Sequence, residues 1–338
     1  MNMLGAYPFL SIVIPTYNRA DFLDYSFEVH IPMAQKHSIQ IFVFDNASTD
    51  NTKEVVDKWK KLYPHIVYSC NEKNIGPDAN FELALQHPNT DYVWLLGDTY
   101  RIPEGGIEYV LNIAQSMESY DAIVLNLAEF IASDAIGTKD YTDQNALLFD
   151  LGALMTCLSC LVYSKKLINN ANFSRYLDSY FIQTGIIFES IASRPFTIHW
   201  AQSVSILGLQ HPTLKKNSWH NAPNVLEIAC MRWSNFVFSL PVSYGLDAKL
   251  KCLKDINGPS ILFKTKSLFM FRAYNILNFK SYRRFSRFFP LTAHNPNSVV
   301  FAISTMPRFF AKSIIIAGIL LLKKNKLYRI KKIIRNET

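Results

Sequence analysis

Short apolar runs alternate with helical patterns through the first 130 residues of this 338-residue chain, and that alternation limits its fold more than any other feature. The runs Phe9–Ile14, Ile39–Phe44, Ile66–Ser69, Tyr92–Leu96 and Ala122–Leu127 are short and rich in Ile, Val and Phe. Between them, residues 20–36, 52–62, 78–86 and 104–117 space apolar positions by three and four, as in Val55, Val56, Trp59 and Leu62. The first kind of run suits a buried strand and the second a helix with one buried face. Together they predict an α/β fold with a mostly parallel sheet covered by helices on both faces. Ligands of such sheets bind beyond the carboxyl ends of the strands. The segments falling there are 16–19, 45–50, 71–76 and 97–99.

Those segments suit a nucleotide-linked substrate. Pro15 is expected to stop the first strand, leaving Thr16, Tyr17 and Asn18 to offer a hydroxyl, a ring and an amide. Asp45 ends the second run, where an acceptor-only carboxylate can take the imide N–H of a uracil or thymine ring. Asp50 or Thr52 is the expected cap of the helix that follows. Asp98 comes after the run 92–96 and the flexible Gly97, a perch for a carboxylate facing a diphosphate-bound metal.

In their order and spacing, four stretches resemble the family 2 glycosyltransferases: 10–19 (LSIVIPTYNR), 42–52 (FVFDNASTDNT), 74–80 (NIGPDAN) and 92–98 (YVWLLGD). The resemblance covers about residues 8–130 and is greatest to bacterial enzymes that extend surface polysaccharides such as O-antigen and capsule. It implies a GT-A fold, Rossmann-like, with a basic, mainly helical C-terminal region appended. It also implies that Pro15, Thr16, Tyr17, Asn18 and Asp45 seat the nucleotide. Asn74, Gly76 and Asn80 would shape the wall beside ribose and diphosphate, and Gly97 with Asp98 would carry the acidic metal motif. The reaction implied is inverting transfer of a single sugar from a UDP- or dTDP-linked donor to a lipid-linked oligosaccharide. The alternative is a non-catalytic nucleotide-sugar- or glycan-binding relative.

The acidic motif departs from the family pattern, reading Gly97-Asp98-Thr99-Tyr100 where two or three acids normally stand together. Three readings follow: Mn²⁺ or Mg²⁺ held mainly through the donor phosphates, metal-independent transfer with Arg101 helping to neutralise the diphosphate, or an impaired relative. Inverting transfer needs a general base for the acceptor hydroxyl. Asp178, among polar and aromatic residues, is the candidate; Glu189, in an apolar helical stretch, reads as a salt-bridged structural acid. Arg232-Trp233 matches half of a processive-synthase motif, but Ala229 stands where that motif has glutamine. His199-Trp200 and His211-Pro212 either border an acceptor site or belong to the core.

Charge divides the chain. Residues 259–338 hold 16 Lys and Arg against one acid, Glu337, whereas residues 1–258 hold 19 against 26. Together with an irregular stretch between, this sets expected divisions at 1–130 (nucleotide-sugar half), 131–258 (acceptor half) and 259–338 (basic, aromatic-rich). Phe and Tyr interleave with cations over 261–289, and Leu327, Ile330 and Ile334 recur among Lys and Arg, a mixture that suits an anionic membrane surface. A charged helical cap and a nucleic-acid surface are the other readings, and no recognised nucleic-acid module supports the last. The apolar run Ser313–Leu322 is about half the roughly 20 residues needed to span a bilayer. Five scattered cysteines read as reduced thiols, and Cys157-x-x-Cys160 lacks a second ligand pair for zinc. The expected location is cytoplasmic and peripheral, on the inner face of the plasma membrane.

Overall fold

The computed structural model describes residues 9–116, 119–128, 130–131, 135–211, 213–214, 223–256 and 262–321. It divides into two compact units, one running to Lys216 and including Leu240–Gly245, the other comprising Asn217–Ser239 and the chain from Leu246. The helical pattern expected over 323–335 lies outside the described residues.

The first unit is built on one sheet. Its strands are β1 (Leu10–Thr16), β2 (Gln40–Asp45), β3 (Ile66–Cys70), β4 (Tyr92–Leu95), β5 (Tyr100–Arg101), β6 (Ala122–Leu127), β7 (Lys139–Tyr141), β8 (Leu161–Ser164) and β9 (Ile198–Gly208). Helices α1 (Ala20–Lys36), α2 (Thr52–Leu62), α3 (Pro77–Gln86) and α4 (Gly106–Ala114) follow β1, β2, β3 and β5. Further on come α5 (Gln144–Leu151), α6 (Lys165–Asn169) and α7 (Ile182–Ile191). Sheet order is β3-β2-β1-β4-β8-β6-β9-β5, with β7 beside β9. Every residue of β1, β4 and β8 is buried, so both faces of the sheet centre are covered. Leu10, Ile12, Ile14, Trp94, Val162 and Ile123 build the core with Leu23 and Phe27 of α1.

β1 pairs in parallel with β2 on one side and β4 on the other, and β2 with β3, as the alternation requires. The strand order reverses around β1, so a crevice opens beyond the carboxyl ends of β1 and β4. Farther along, β8 enters antiparallel to both β4 and β6, while β6 and β9 are parallel.

Pro15 does not stop β1, which continues through the Pro15–Phe44 and Thr16–Asp45 pairings. Val13 accepts the Leu96 amide on the β4 side. Pro15, two residues on, faces that same side after pairing with β4 has ended at Val13. Its missing N–H therefore costs no ladder bond.

Leu240–Gly245 straps the first unit. Gln144 Nε2 donates to the Ser243 carbonyl at 3.0 Å, Gly245 N to Asn145 Oδ1 at 2.7 Å, and Tyr244 Oη to the Phe188 carbonyl at 2.6 Å. In the second unit a wide π turn at Glu227–Arg232 leads into helix Trp233–Ser239, followed by helices Leu246–Asp255, Thr265–Ala273, Phe279–Phe285, Asn297–Thr305 and Arg308–Leu321. Trp233 stacks on Phe236, and Glu227 pairs with both Arg232 and Arg284 at 3.0 Å. No single described helix is long and apolar enough to cross a membrane, although Asn297–Thr305 and Arg308–Gly318 would qualify together across a 108° bend.

Candidate active site

Thr16, the last residue of β1, donates its hydroxyl to Asp98 Oδ2 at 3.1 Å, and Arg19 Nη1 reaches Asp98 Oδ1 at 3.0 Å. Asp98 is buried and the Arg19 side chain is 36% exposed. Gly97 precedes this carboxylate for a steric reason. Its amide donates to Ser159 Oγ at 3.0 Å, and a Cβ at that position would come within 3.1 Å of the Tyr100 ring and 3.3 Å of Leu158.

Asp45 sits at the end of β2 with both oxygens engaged. Oδ1 accepts the Ser48 amide at 2.9 Å and Oδ2 the Tyr68 hydroxyl at 2.7 Å. Burial and the neighbouring carboxylate hold the Tyr68 phenol well above its ordinary range, so it remains a donor. Tyr17, in the loop after β1, lies exposed. Asn18 adopts a left-handed φ of 50°, and its side-chain oxygen accepts the Thr49 amide at 2.8 Å. Asp50 links two helix starts: Oδ2 takes the Ala20 amide of α1 and Oδ1 the Thr52 amide of α2. Neither expected residue is the cap of α2: Asn51 holds that position without a side-chain cap bond, and Asp50 reaches the Thr52 amide from one residue before it.

The wall expected from Asn74, Gly76 and Asn80 is organised by Asn46. Its Nδ2 donates to Asn74 Oδ1 and the Gly76 carbonyl, while its Oδ1 accepts from Ile75 N and Asn71 Nδ2. Asn71 also donates to Asn80 Oδ1, and Asn80 Nδ2 donates to the Phe44 carbonyl of β2. Gly76 has φ +85°, which lets the chain turn into α3 at Pro77.

Asp178 is exposed and left-handed, φ 61°, in the segment before α7, and Tyr180 has φ 71°. This segment meets the start of α3, where Asp78 Oδ2 accepts the Tyr180 amide at 2.9 Å. Glu189 pairs with Arg175 at 2.9 Å and takes the Tyr176 hydroxyl at 2.8 Å, the structural role expected of it. Arg101 lies on β5, paired through its backbone with Leu207. His199 is buried between Asp140 at 2.6 Å and Tyr109 at 2.9 Å, which makes it a core tie. His211 packs edge-on against Tyr25. Trp233 belongs to the core of the second unit. None of the five cysteines forms a disulfide; Cys160, Cys230 and Cys252 are buried.

Arg19, Asn46 and Tyr68 were not among the expected site residues. The signals were there: Arg19 is the first cation in the chain and abuts the 16–18 loop, and Asn46 is one of five asparagines at loops along one sheet edge. The donor set at Asp98 fits a divalent ion poorly. A guanidinium already lies against Oδ1, and among the described residues no three His, Cys, Asp or Glu side chains gather closely enough to hold an ion.

Residues 11–170 match the model of "Glycosyl transferase family 2". The abequosyltransferase RfbV of Salmonella typhimurium is 41% identical over 91 residues, 26% of this chain and 27% of that protein. The minor teichoic acid biosynthesis protein GgaA of Bacillus subtilis is 32% identical over 119 residues, 34% and 27% of the two chains. The matches thus span little more than a quarter of these relatives. Among solved structures, the mannosyltransferase PcManGT of Pyrobaculum calidifontis, in complex with GDP-Man and Mn²⁺, superposes with TM-score 0.54 at 13% identity, covering 95% of this chain and 89% of its own. Staphylococcus aureus TarS 1–349 with UDP-GlcNAc gives 0.52 at 14% identity, covering 84% and 83%. The likeness is one of fold, and the fold is GT-A. With that fold, and with its motifs meeting at the crevice beyond β1 and β4, residues 11–170 are a family 2 glycosyltransferase domain.

Proposed function

We propose that this protein is an inverting glycosyltransferase that moves one sugar from a nucleotide donor to a lipid-linked oligosaccharide during bacterial surface polysaccharide synthesis. The observation that carries this reading is the convergence of Thr16, Asp45, the Asn46 network and Asp98 at one crevice of a GT-A sheet. A relative supports the acceptor class: a Campylobacter jejuni GalNAc(5)-diNAcBac-PP-undecaprenol beta-1,3-glucosyltransferase is 29% identical over 108 residues.

In this mechanism Asp45, buffered by Tyr68, faces the base of a UDP- or dTDP-linked donor, and the Gly76 turn passes beside ribose and diphosphate. Asp178 takes the proton of the acceptor hydroxyl as that oxygen attacks the anomeric carbon and the nucleoside diphosphate leaves. Fixed polar groups around the leaving group stabilise its developing charge without reorganising. A divalent ion, if held chiefly by the donor phosphates, would supply counter-charge there, since Asp98 is already paired with Arg19 and Thr16.

The acceptor places the reaction at the cytoplasmic face of the plasma membrane. Phe309, Phe310, Ile314 and Leu320 stand exposed on helix Arg308–Leu321, close in sequence to the basic C-terminus, and suit an anionic lipid surface. A thermal-shift screen of nucleotide sugars, followed by transfer or hydrolysis of the stabilising donor, tests the proposal. Stabilisation by a UDP- or dTDP-sugar with turnover is expected. Stabilisation without transfer or hydrolysis would select the non-catalytic relative.

A further inference from the structure

We infer that Arg19 is the cationic group that meets the donor diphosphate, and that the lone carboxylate of the acidic motif positions this arginine. The inference rests on the nucleotide-sugar reading of the site. It starts from the inverted chemistry at Asp98: where the family pattern implies a cluster of acids around a cation, one buried carboxylate holds a cationic side chain.

Three observations support it. Asp98 Oδ2 is occupied by the Thr16 hydroxyl and Oδ1 by Arg19 Nη1, so the carboxylate fixes one edge of the guanidinium. The next residue, Thr99, is buried and brings no second negative charge. The Arg19 side chain is 36% exposed against 7% for Asp98, so the guanidinium stands on the solvent side of its partner, at the strand end where the crevice opens. A guanidinium has five N–H donors in a planar fork, and one edge can stay on a carboxylate while another meets phosphate oxygens. A lysine in its place would offer a point charge with no fork to share. A divalent ion at Asp98 Oδ1 would sit against Arg19 at like charge, or would have to displace it.

Position adds a constraint. Arg19 is the residue just before α1, whose first amide, Ala20 N, is held by Asp50 Oδ2 at 2.9 Å. Its backbone is thereby tied to the 45–50 loop, and its side chain to Asp98. The group is held at both ends before any ligand arrives, the condition under which a charge contributes most to binding an anion.

The test is calorimetry of UDP, dTDP, GDP and CDP with the full-length protein, in excess EDTA and in excess MnCl₂, alongside the matching nucleoside. The nucleotide that binds wild type should do so equally, within about threefold, in both buffers. Arg19→Ala should lose about tenfold or more in affinity for the diphosphate and little for the nucleoside, as expected for a lost hydrogen-bonded charge pair. Arg19→Lys should recover only part of the loss. Binding that collapses in EDTA overturns the inference while leaving the glycosyltransferase reading intact; so does Arg19→Ala binding the diphosphate as wild type does, once circular dichroism shows it folded. Failure of every nucleotide to bind wild type in either buffer overturns both readings.

Discussion

The carboxyl of Asp78 is buried in the first turn of α3, with Oδ2 on the Tyr180 amide and Oδ1 finding no hydrogen-bond partner among the described residues. Burial, reinforced by the charge of Asp178, pushes its pKa up to about 6 from 3.8. Because the folded value lies above the unfolded one, the stabilisation is complete below about pH 3.8 and is lost as pH rises through 6. The difference is on the order of 3 kcal/mol. Asp78→Asn cannot ionise. It should raise the thermal midpoint over wild type at about pH 7.5 and leave it unchanged near pH 4, as melting curves at the two values would show. Two residues before Tyr180, Asp178 is exposed and carries the proposed base. Asp178→Asn should cut turnover by about 10²–10⁴-fold with donor affinity unchanged, and activity within tenfold of wild type would remove it from the mechanism. Asp45 and Asp98 were legible from sequence because each ends an apolar run. The position of Arg19 beside the 16–18 loop was visible too, but its ion pair was not, since only the fold brings it against a residue 79 positions away.

At the level of elements, the β2–α2 and β3–α3 connections are joined by side chains and share no ladder. Asn46 alone makes four hydrogen bonds into the 71–76 loop. Asn46→Ala should destabilise the protein by about 2–4 kcal/mol, since several partners lose their match at once, and should weaken nucleotide binding. Denaturant melts and the same calorimetry would measure both. Strands β1, β2, β4 and β6 could be read because near-complete burial makes each a continuous apolar run, whereas the two-residue β5, half-buried to exposed, could not. β8 could not be placed. Its four residues follow two tight turns at Leu154–Thr156 and Leu158–Cys160, and its antiparallel fit between β4 and β6 depends on partners 37 to 72 residues away in sequence. Helix α2 shows the opposite case: the spacing of Val55, Val56 and Trp59 is local and was visible, although its cap is Asn51 and Leu62 stands exposed.

For the whole molecule, the division of charge gives the second unit its chemistry. Lys280, Arg283, Arg284 and Arg287 are exposed, with Arg283 over the ring of exposed Phe279, and Phe309, Phe310 and Ile314 are exposed on the helix at 308–321. Full-length protein should float with vesicles containing phosphatidylglycerol and much less with phosphatidylcholine alone, and salt should release it. Replacing Phe309, Phe310 and Ile314 together by Ser should lower the partition at least about tenfold, given 1.5–3 kcal/mol for burying each such side chain. Equal binding to both vesicles would refute the anionic preference. The strap at Leu240–Gly245 has a consequence for synthesis. Translation proceeds from the N-terminus at about 5–20 residues per second, so the strands are all made before the strap that fastens α5 and α7 emerges. A nascent chain arrested before residue 245 should be cleaved by protease in those helices while its sheet resists, and release of a few more residues should close that vulnerability.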